Sequence, residues 1–561
     1  MNNRGTFEEA AALIRSGQLE ATVVQWEQEL EVPALWERLF AFGEASAGLG
    51  RCHESLKLHT KALALDPKNV RSLCALGEAY ESCARSKEAH ECFLKALELA
   101  PEEAMAWSGI GYTLLRLGKL QESFACLQRA LSYDAMSVDV SNRMGLCLLA
   151  QKRFPECIAL FEKSVDSKPD FVAGWKNLAV ARRSMGEIEL AILACSKALE
   201  IQSADAGNWT NMGVLLQEQN RVDEAIAAYQ KAIQLDRSYH LAHLNEGLAH
   251  LLRGNLLLGA LKYEYRWLVV GQTPARHGAL LFWRGSEPLA GKVILLHADQ
   301  GFGDTMQFLR YAGILAKMGA TVHVEVHPCL VDLVEQVNGV ELVVKFGEKV
   351  GHFDFHCPFL SLPFACRTTL EAIPRGVPYI KPSLMALDKW RPFWTFANQP
   401  RVALVWRGNP EHDNDQNRSC ALDFFQPLLE SCHCEFVNLQ WASTAEEKNL
   451  LGRCTNFRDP TPHLTNFDDT AAVIAGVDLV ISVDTAVAHL AGAMGKPVWI
   501  LLPFAPDWRW MLKRNDSPWY PTARLFRQPR RKEWAELMPQ VVEALIEFCA
   551  LKSASQELPV Q

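Results

Sequence analysis

The chain has no CxxC pair among its 16 cysteines, no complete GxGxxG turn and no run of the roughly 20 apolar residues that a membrane span needs. Its formal net charge of −8 over 561 residues is mild. Each absence excludes something. A weak overall field gives nucleic acid or an anionic membrane little to be drawn by. Unpaired cysteines offer no zinc spacing; Cys432-His433-Cys434 alternates along an expected strand and turns both thiols to one face. Met1 to Glu20 holds no long apolar core of the signal type. With 49% hydrophobic and 22% charged residues, the expectation is a reduced, cytoplasmic, globular protein of several domains. It is expected to be neither secreted nor inserted, and to have no metal or cofactor of its own.

What is present first is a repeat. Gly43, Gly77, Gly111, Gly145, Gly213 and Gly247 fall on a strict 34-residue grid, and Ala179 fills its missing point. Ala62, Ala96, Ala130, Ser164, Ala198 and Ala232 form a second grid, Pro33, Pro67, Pro101 and Pro169 a third, and Phe93, Phe161, Tyr229 and Tyr263 a fourth. Small residues where helices touch, with proline at the turn between units, are the tetratricopeptide pattern of paired helices. Seven units then cover 36–270, after a degenerate helix pair over 1–35. Stacked units form a superhelix with a concave groove, and a groove implies a partner.

Asn177, Asn211 and Asn245 stand two residues before the glycine point in the last three units. Amides at that spacing form a ladder able to hold an extended peptide without reading its sequence; they also fit ordinary exposed polar positions. The four earlier units carry Ala41, Ala75, Gly109 and Arg143 instead.

Beyond Trp267 the period is lost. Gly271, Pro274, Gly278, Gly285, Pro288 and Gly291 punctuate a linker over 271–291. Lys292 to Ala298, Thr321 to His327, Val340 to Phe346 and Phe353 to Leu362 have strand character, with helices expected at Asp304 to Met318 and Leu330 to Gln336. Pro374, Pro378, Pro382 and Pro392 break the chain as a hinge. Strands are expected again at Arg401 to Trp406 and Cys434 to Gln440, with helices at Phe424 to Ser431 and Trp534 to Leu551. Asp478 to Pro503 is a β-α-β unit with Asp484 and Thr485 where strand meets helix, a place where anions bind. This describes a first β/α lobe over 292–385, a second over 400–551, a tail over 552–561 and a cleft between the lobes.

Chemistry-bearing residues gather at these strand ends. Asp304, after the tight turn Gln300-Gly-Phe-Gly, fits a general base facing the cleft; it equally fits a helix N-cap whose capping box Gln307 completes. The loop from Trp406 to Ser419 carries Arg407, Asn409 and Arg418, either as forks for phosphate oxygens or as a solvated polar surface. His489 fits a phosphate or ribose contact, or a packed core histidine. Trp508-Arg509-Trp510 fits a base or sugar platform, or a lobe anchor, and Arg527 to Lys532 a surface basic run.

Two segments carry a resemblance. DTAVAHLAGAMGKPVW, from Asp484, resembles the nucleotide-sugar motif of bacterial heptosyltransferase-like glycosyltransferases, and GFGDTMQFLRYAGILAKMGA, from Gly301, resembles their first-lobe turn. WRGNP and NDQNRS are similar to segments of a bacterial group in which tetratricopeptide repeats precede this transferase, and which includes flagellin-modifying enzymes. The overall plan is like that of the O-GlcNAc transferases. The resemblance implies a helical solenoid followed by an α/β GT-B domain of two Rossmann-like lobes. It implies Asp304 as base, with Asp484, Thr485, Ala486 and His489 around the donor phosphates and ribose. Ala486 stands where those enzymes usually have glycine, and their phosphate-binding lysine has no clear counterpart, so Arg407 is the substitute.

The expectation is a metal-independent, inverting glycosyltransferase that moves a sugar from a nucleotide donor to serine or threonine hydroxyls of a protein in the groove, flagellin being one candidate acceptor. Two alternatives stand beside it. One is a transferase acting on a glycan or lipid-linked acceptor, its repeats binding a regulatory partner. The other is a non-catalytic scaffold.

Overall fold

The structure, a computed structural model, describes residues 3–269, 276–278, 281–394, 399–412, 414–431 and 434–556. Gly271, Pro274, Cys432 and His433 lie outside the described residues, as does Asp413 of the polar loop. The chain divides into two compact units, Met1–Asn208 and Trp209–Gln561. The division falls inside the repeats and not at their end. Among the described residues no helix is long and apolar enough to cross a membrane.

In the first unit the helices Asn3–Ser16 and Leu19–Glu29 precede five pairs: Val32–Gly48 with Cys52–Leu65, Val70–Ser82 with Ser86–Leu99, Ala104–Arg116 with Leu120–Tyr133, Val138–Ala150 with Phe154–Ser167, and Val172–Met185 with Ile188–Ile201. The glycine and aromatic grids are one contact seen from two sides. A Cβ on Gly77 would stand 2.6 Å from Phe93 Cε1, and one on Gly145 2.4 Å from Phe161 Cε1. Phe93 also crowds Gly109 of the following pair at 2.4 Å, so one fully buried ring joins two repeats. Burying such a ring is worth roughly 1.5–3 kcal/mol. The proline grid has its own partner: the carbonyls of Pro101 and Pro169 accept from the indoles of Trp107 and Trp175 at 2.8 and 2.9 Å.

The second unit begins within the helix Ala206–Glu218 and continues with Val222–Leu235, His240–Arg253 and Leu256–Tyr263. Here Gly213 lies against Tyr229 by the same rule. Two parallel sheets follow. The first contains β1 (Val293–His297), β2 (Thr321–Val326), β3 (Val340–Lys345) and β4 (Phe355–Pro358) in the order β3-β2-β1-β4. The second contains β5 (Arg401–Val405), β6 (Glu435–Asn438), β7 (Phe457–Arg458), β8 (Leu479–Val483), β9 (Val498–Leu502) and β10 (Ala523–Arg527) in the order β10-β9-β8-β5-β6-β7. Both are parallel throughout, and β8 and β9 are buried at every residue, as their unbroken apolar runs require.

The order in which strands are added reverses between β1 and β4 in the first sheet and between β5 and β8 in the second. A crevice opens at such points, beyond the carboxyl ends of the strands. The segments after β1, β5 and β8 are those that carry Asp304, the loop from Arg407 to Arg418, and Asp484.

Several elements depart from expectation. The helix expected from Asp304 to Met318 is broken into Phe302–Phe308, a short 3-10 turn and Ala312–Lys317, and the one expected at Phe424 begins at Gln426. The closing helix, Trp534–Gln556, runs past Leu551. Arg527 is half-buried: it ends β10, with its guanidinium donating to the Arg514 and Trp510 carbonyls, and Arg531 pairs with Glu218 at 2.8 Å. The proline hinge is crossed by a fixed tie. Arg310 of the first lobe, 6% exposed, donates to the carbonyls of Pro374 and Trp519 and to the Tyr379 hydroxyl, at 3.0, 2.7 and 2.9 Å.

Candidate active site at the facing sheet edges

Asp304 sits at the third position of the Phe302–Phe308 helix, not at its cap. Gly301 is the N-cap, and its backbone N–H donates to Asp304 Oδ2 at 2.9 Å. The expectation of Asp304 as N-cap with Gln307 completing its box is therefore corrected: the helix starts at Phe302, and Asp304 is the residue that bonds back to the cap. The other carboxylate oxygen, Oδ1, accepts from Arg509 Nη2 at 2.5 Å, across the lobe boundary. Arg509 is nearly buried and also donates to Gln307 Oε1 at 2.7 Å and Asp507 Oδ1 at 2.8 Å. Burial pushes the Asp304 carboxyl up from its ordinary value, and the Arg509 cation opposes that rise.

The two lobes touch closely here. A Cβ on Gly303 would stand 2.8 Å from His489 Cδ2. His489 is 5% exposed; its Nδ1 is 2.9 Å from the Tyr520 hydroxyl and its ring stacks on Trp510. Burial holds it well below the usual imidazole range, so the ring is neutral at physiological pH. The packed-core reading of His489 fits its burial and its contact with Tyr520, and its Nε2 stands 3.9 Å from Asp484 Oδ1. Burial, with Asp507 nearby, pushes Asp484 up to about 6.

Thr485 caps the Ala486–Ala493 helix through its backbone; its hydroxyl lies 2.9 Å from Ser482 Oγ and makes no cap bond, and Ala486 is partly exposed beside it. Arg418 covers the adjacent loop. Its guanidinium would meet a Cβ on Gly408 at 2.5 Å, and it donates to the Asp484 carbonyl at 3.2 Å and to Asp415 at the same distance. Arg407 points elsewhere, pairing with Glu447 at 2.7 Å while its backbone N–H donates to Gln440 Oε1. Asn409 is exposed and folds its own loop by accepting from the Glu411 N–H.

Trp508 and Trp510 are buried, at 8% and 0% exposure, which corrects the expectation of a base-stacking platform. Arg509 between them is the residue sequence reasoning passed over. Its signal was positional, an Asp-Trp-Arg run just beyond β9, the strand beside β8.

The last repeat reaches this edge. Gln300 donates to the Tyr263 hydroxyl at 3.1 Å, and Arg266 pairs with Asp299 at 3.3 Å. Asn211 and Asn245 are partly exposed on the first helices of their pairs. In the first unit, Asn177 donates to Asn142 Oδ1 at 2.8 Å.

Comparisons with known proteins give two families. Residues 437–502 match the profile of glycosyltransferase family 9 (heptosyltransferase), and residues 74–137, 114–170 and 209–239 match tetratricopeptide profiles. Protein FlbA of Caulobacter vibrioides is 26% identical over 295 residues, covering 48% of this chain and 48% of that one. The chain thus spans about half the length of the curated relative it matches. Among solved structures, Cut9–Hcn1 of the APC/C is 17% identical over 43% of this chain and 48% of that one, with a TM-score of 0.37. A thermophilic tetratricopeptide protein of Thermus thermophilus is 16% identical over 32% of this chain and 99% of that one, with a TM-score of 0.30.

Proposed function

We propose that this chain, in which tetratricopeptide repeats precede a heptosyltransferase-like glycosyltransferase family 9 domain, transfers a sugar from a nucleotide donor to hydroxyls of a protein acceptor, flagellin being one candidate. The lobes are those of a GT-B enzyme working without a metal. The observation that carries the proposal is the meeting of the two sheet edges: Asp304 from one lobe bonded to Arg509 from the other, within reach of the Ala486–Ala493 helix start.

The roles follow from charge and position. A donor diphosphate lies against the N–H groups at Thr485 and Ala486, with Arg418 beside them to stabilise the departing phosphate. Asp484 and His489 hold the ribose and sugar side. Arg407 and Asn409 shape the loop over the nucleotide. Asp304 takes the proton of the acceptor hydroxyl as that oxygen attacks the anomeric carbon and the nucleotide leaves, so one displacement inverts the centre. Burial favours the proton on Asp304 and pushes its carboxyl up, while Arg509 favours its charge and opposes that rise. In the second unit, Asn211 and Asn245 grip the acceptor backbone.

Calorimetry of the full chain against a panel of nucleotide sugars tests this. One donor is expected to bind with a dissociation constant on the order of micromolar to millimolar, and to release its nucleotide when acceptor is added. A panel in which none binds would leave a scaffold as the better reading.

A further inference from the structure

The repeats bring together a group of side chains that no part of the proposed reaction uses. Cys52, His53 and Cys83 place two thiol sulfurs and an imidazole nitrogen within 4.8 Å of one another. Cys52 and His53 open the helix Cys52–Leu65 of the first repeat; Cys83 ends the helix Val70–Ser82 of the second. The sequence hides this group because its members lie in different repeats and only the fold closes the distance. We propose that Cys52, His53 and Cys83 form a binding site for a soft divalent cation, zinc, that clips the first repeat to the second.

The chemistry fits in three ways. Two thiolates and an imidazole are a soft ligand set of the kind zinc takes, and three protein ligands leave a fourth, solvent-facing position for water. His53 is exposed and Cys52 and Cys83 are half-buried, so an ion has an entry path. Ligand atoms around a tetrahedral zinc stand roughly 3.3–3.8 Å apart, a closure from 4.8 Å that rotation of an exposed histidine supplies.

Zinc entry displaces both thiol protons to solvent and forms two zinc–sulfur bonds and one zinc–nitrogen bond; nothing is oxidised or reduced. The third donor separates this from a simple dithiol pair, which would need no histidine.

Cobalt reports the site directly. Reduced, metal-free full-length chain titrated with cobalt(II) is expected to develop the near-ultraviolet sulfur-to-cobalt charge-transfer band, saturating at one equivalent and bleached by zinc. Cys52→Ser and Cys83→Ser are each expected to abolish the band, and His53→Ala to weaken binding by about tenfold or more, a loss seen even for residues that only orient a ligand. Circular dichroism checks that each variant keeps its helices. No band in the unaltered chain, a band that survives Cys52→Ser or Cys83→Ser, or a Cys52–Cys83 disulfide forming in a protein that binds neither ion would overturn the proposal.

Discussion

Arg509 Nη2 donates to Asp304 Oδ1 at 2.5 Å, and the two residues follow strands of different sheets, β1 and β9. The candidate base therefore has its charge set by the opposite lobe, and its Oδ2 is fixed by the Gly301 N–H of its own.

Replacing Arg509 with glutamine removes the cation that opposes burial at Asp304. The Asp304 pKa then rises further, and a base must be deprotonated to act, so the acid limb of the kcat/KM profile moves to higher pH. Activity at pH 7 is expected to fall by about 10- to 1000-fold and to recover partly in alkali. A loss of the same factor at every pH would assign Arg509 a role other than tuning Asp304.

Gly303→Ala places a methyl 2.8 Å from His489 Cδ2. His489 cannot yield easily, being held by Tyr520 and stacked on Trp510. The lobes must part, at a cost of about 1–3 kcal/mol. Thermal denaturation is expected to show that loss, with turnover falling further than stability alone explains.

Asp484 carries a pH-dependent cost. Its folded pKa, about 6, lies above that of an unfolded aspartate, about 3.8. The folded state therefore binds more protons between these values, and the penalty is absent in acid and complete above pH 6. Asp484→Asn removes it. The variant is expected to be more stable than the parent by about 1–3 kcal/mol at pH 7, the gain fading as pH falls from 6 toward 4, while donor affinity is lost. Denaturant melts across that range check the sign.

The asparagines separate acceptor from donor. Asn211→Ala with Asn245→Ala is expected to raise the KM for a protein acceptor by about tenfold or more, at a loss of roughly 1 kcal/mol per backbone hydrogen bond, with the donor KM unchanged. Steady-state kinetics varying each substrate in turn distinguish this from equal losses in both.

Much of the fold was legible because its signals are periodic. Gly77 and Phe93 repeat at a fixed spacing since each needs the other, and the buried runs of β8 and β9 need no partner to be recognised as strands. The helix break at Leu309 was not legible, because the pattern from Asp304 to Met318 is helical throughout and tertiary packing decides where it turns. The site was legible where residues cluster in sequence, as Asp484 to His489 do. Arg509 was masked by two tryptophans whose size drew a stacking interpretation, and nothing local says that Asp304 lies across from it. Arg407 shows the reverse error: an arginine in the right loop whose charge is taken by Glu447, on a helix the sequence did not single out.

The most direct measurement is turnover and donor binding of Asp304→Asn. Asparagine keeps the size but only one of the two accepting oxygens, so it can accept from the Gly301 N–H or from Arg509 and not from both, and it takes no proton. Donor affinity by calorimetry is expected to stay within about threefold of the parent, while kcat falls by about 100- to 10,000-fold. Turnover retained at the parent rate, with the donor bound normally, would contradict the assignment of Asp304 as the base.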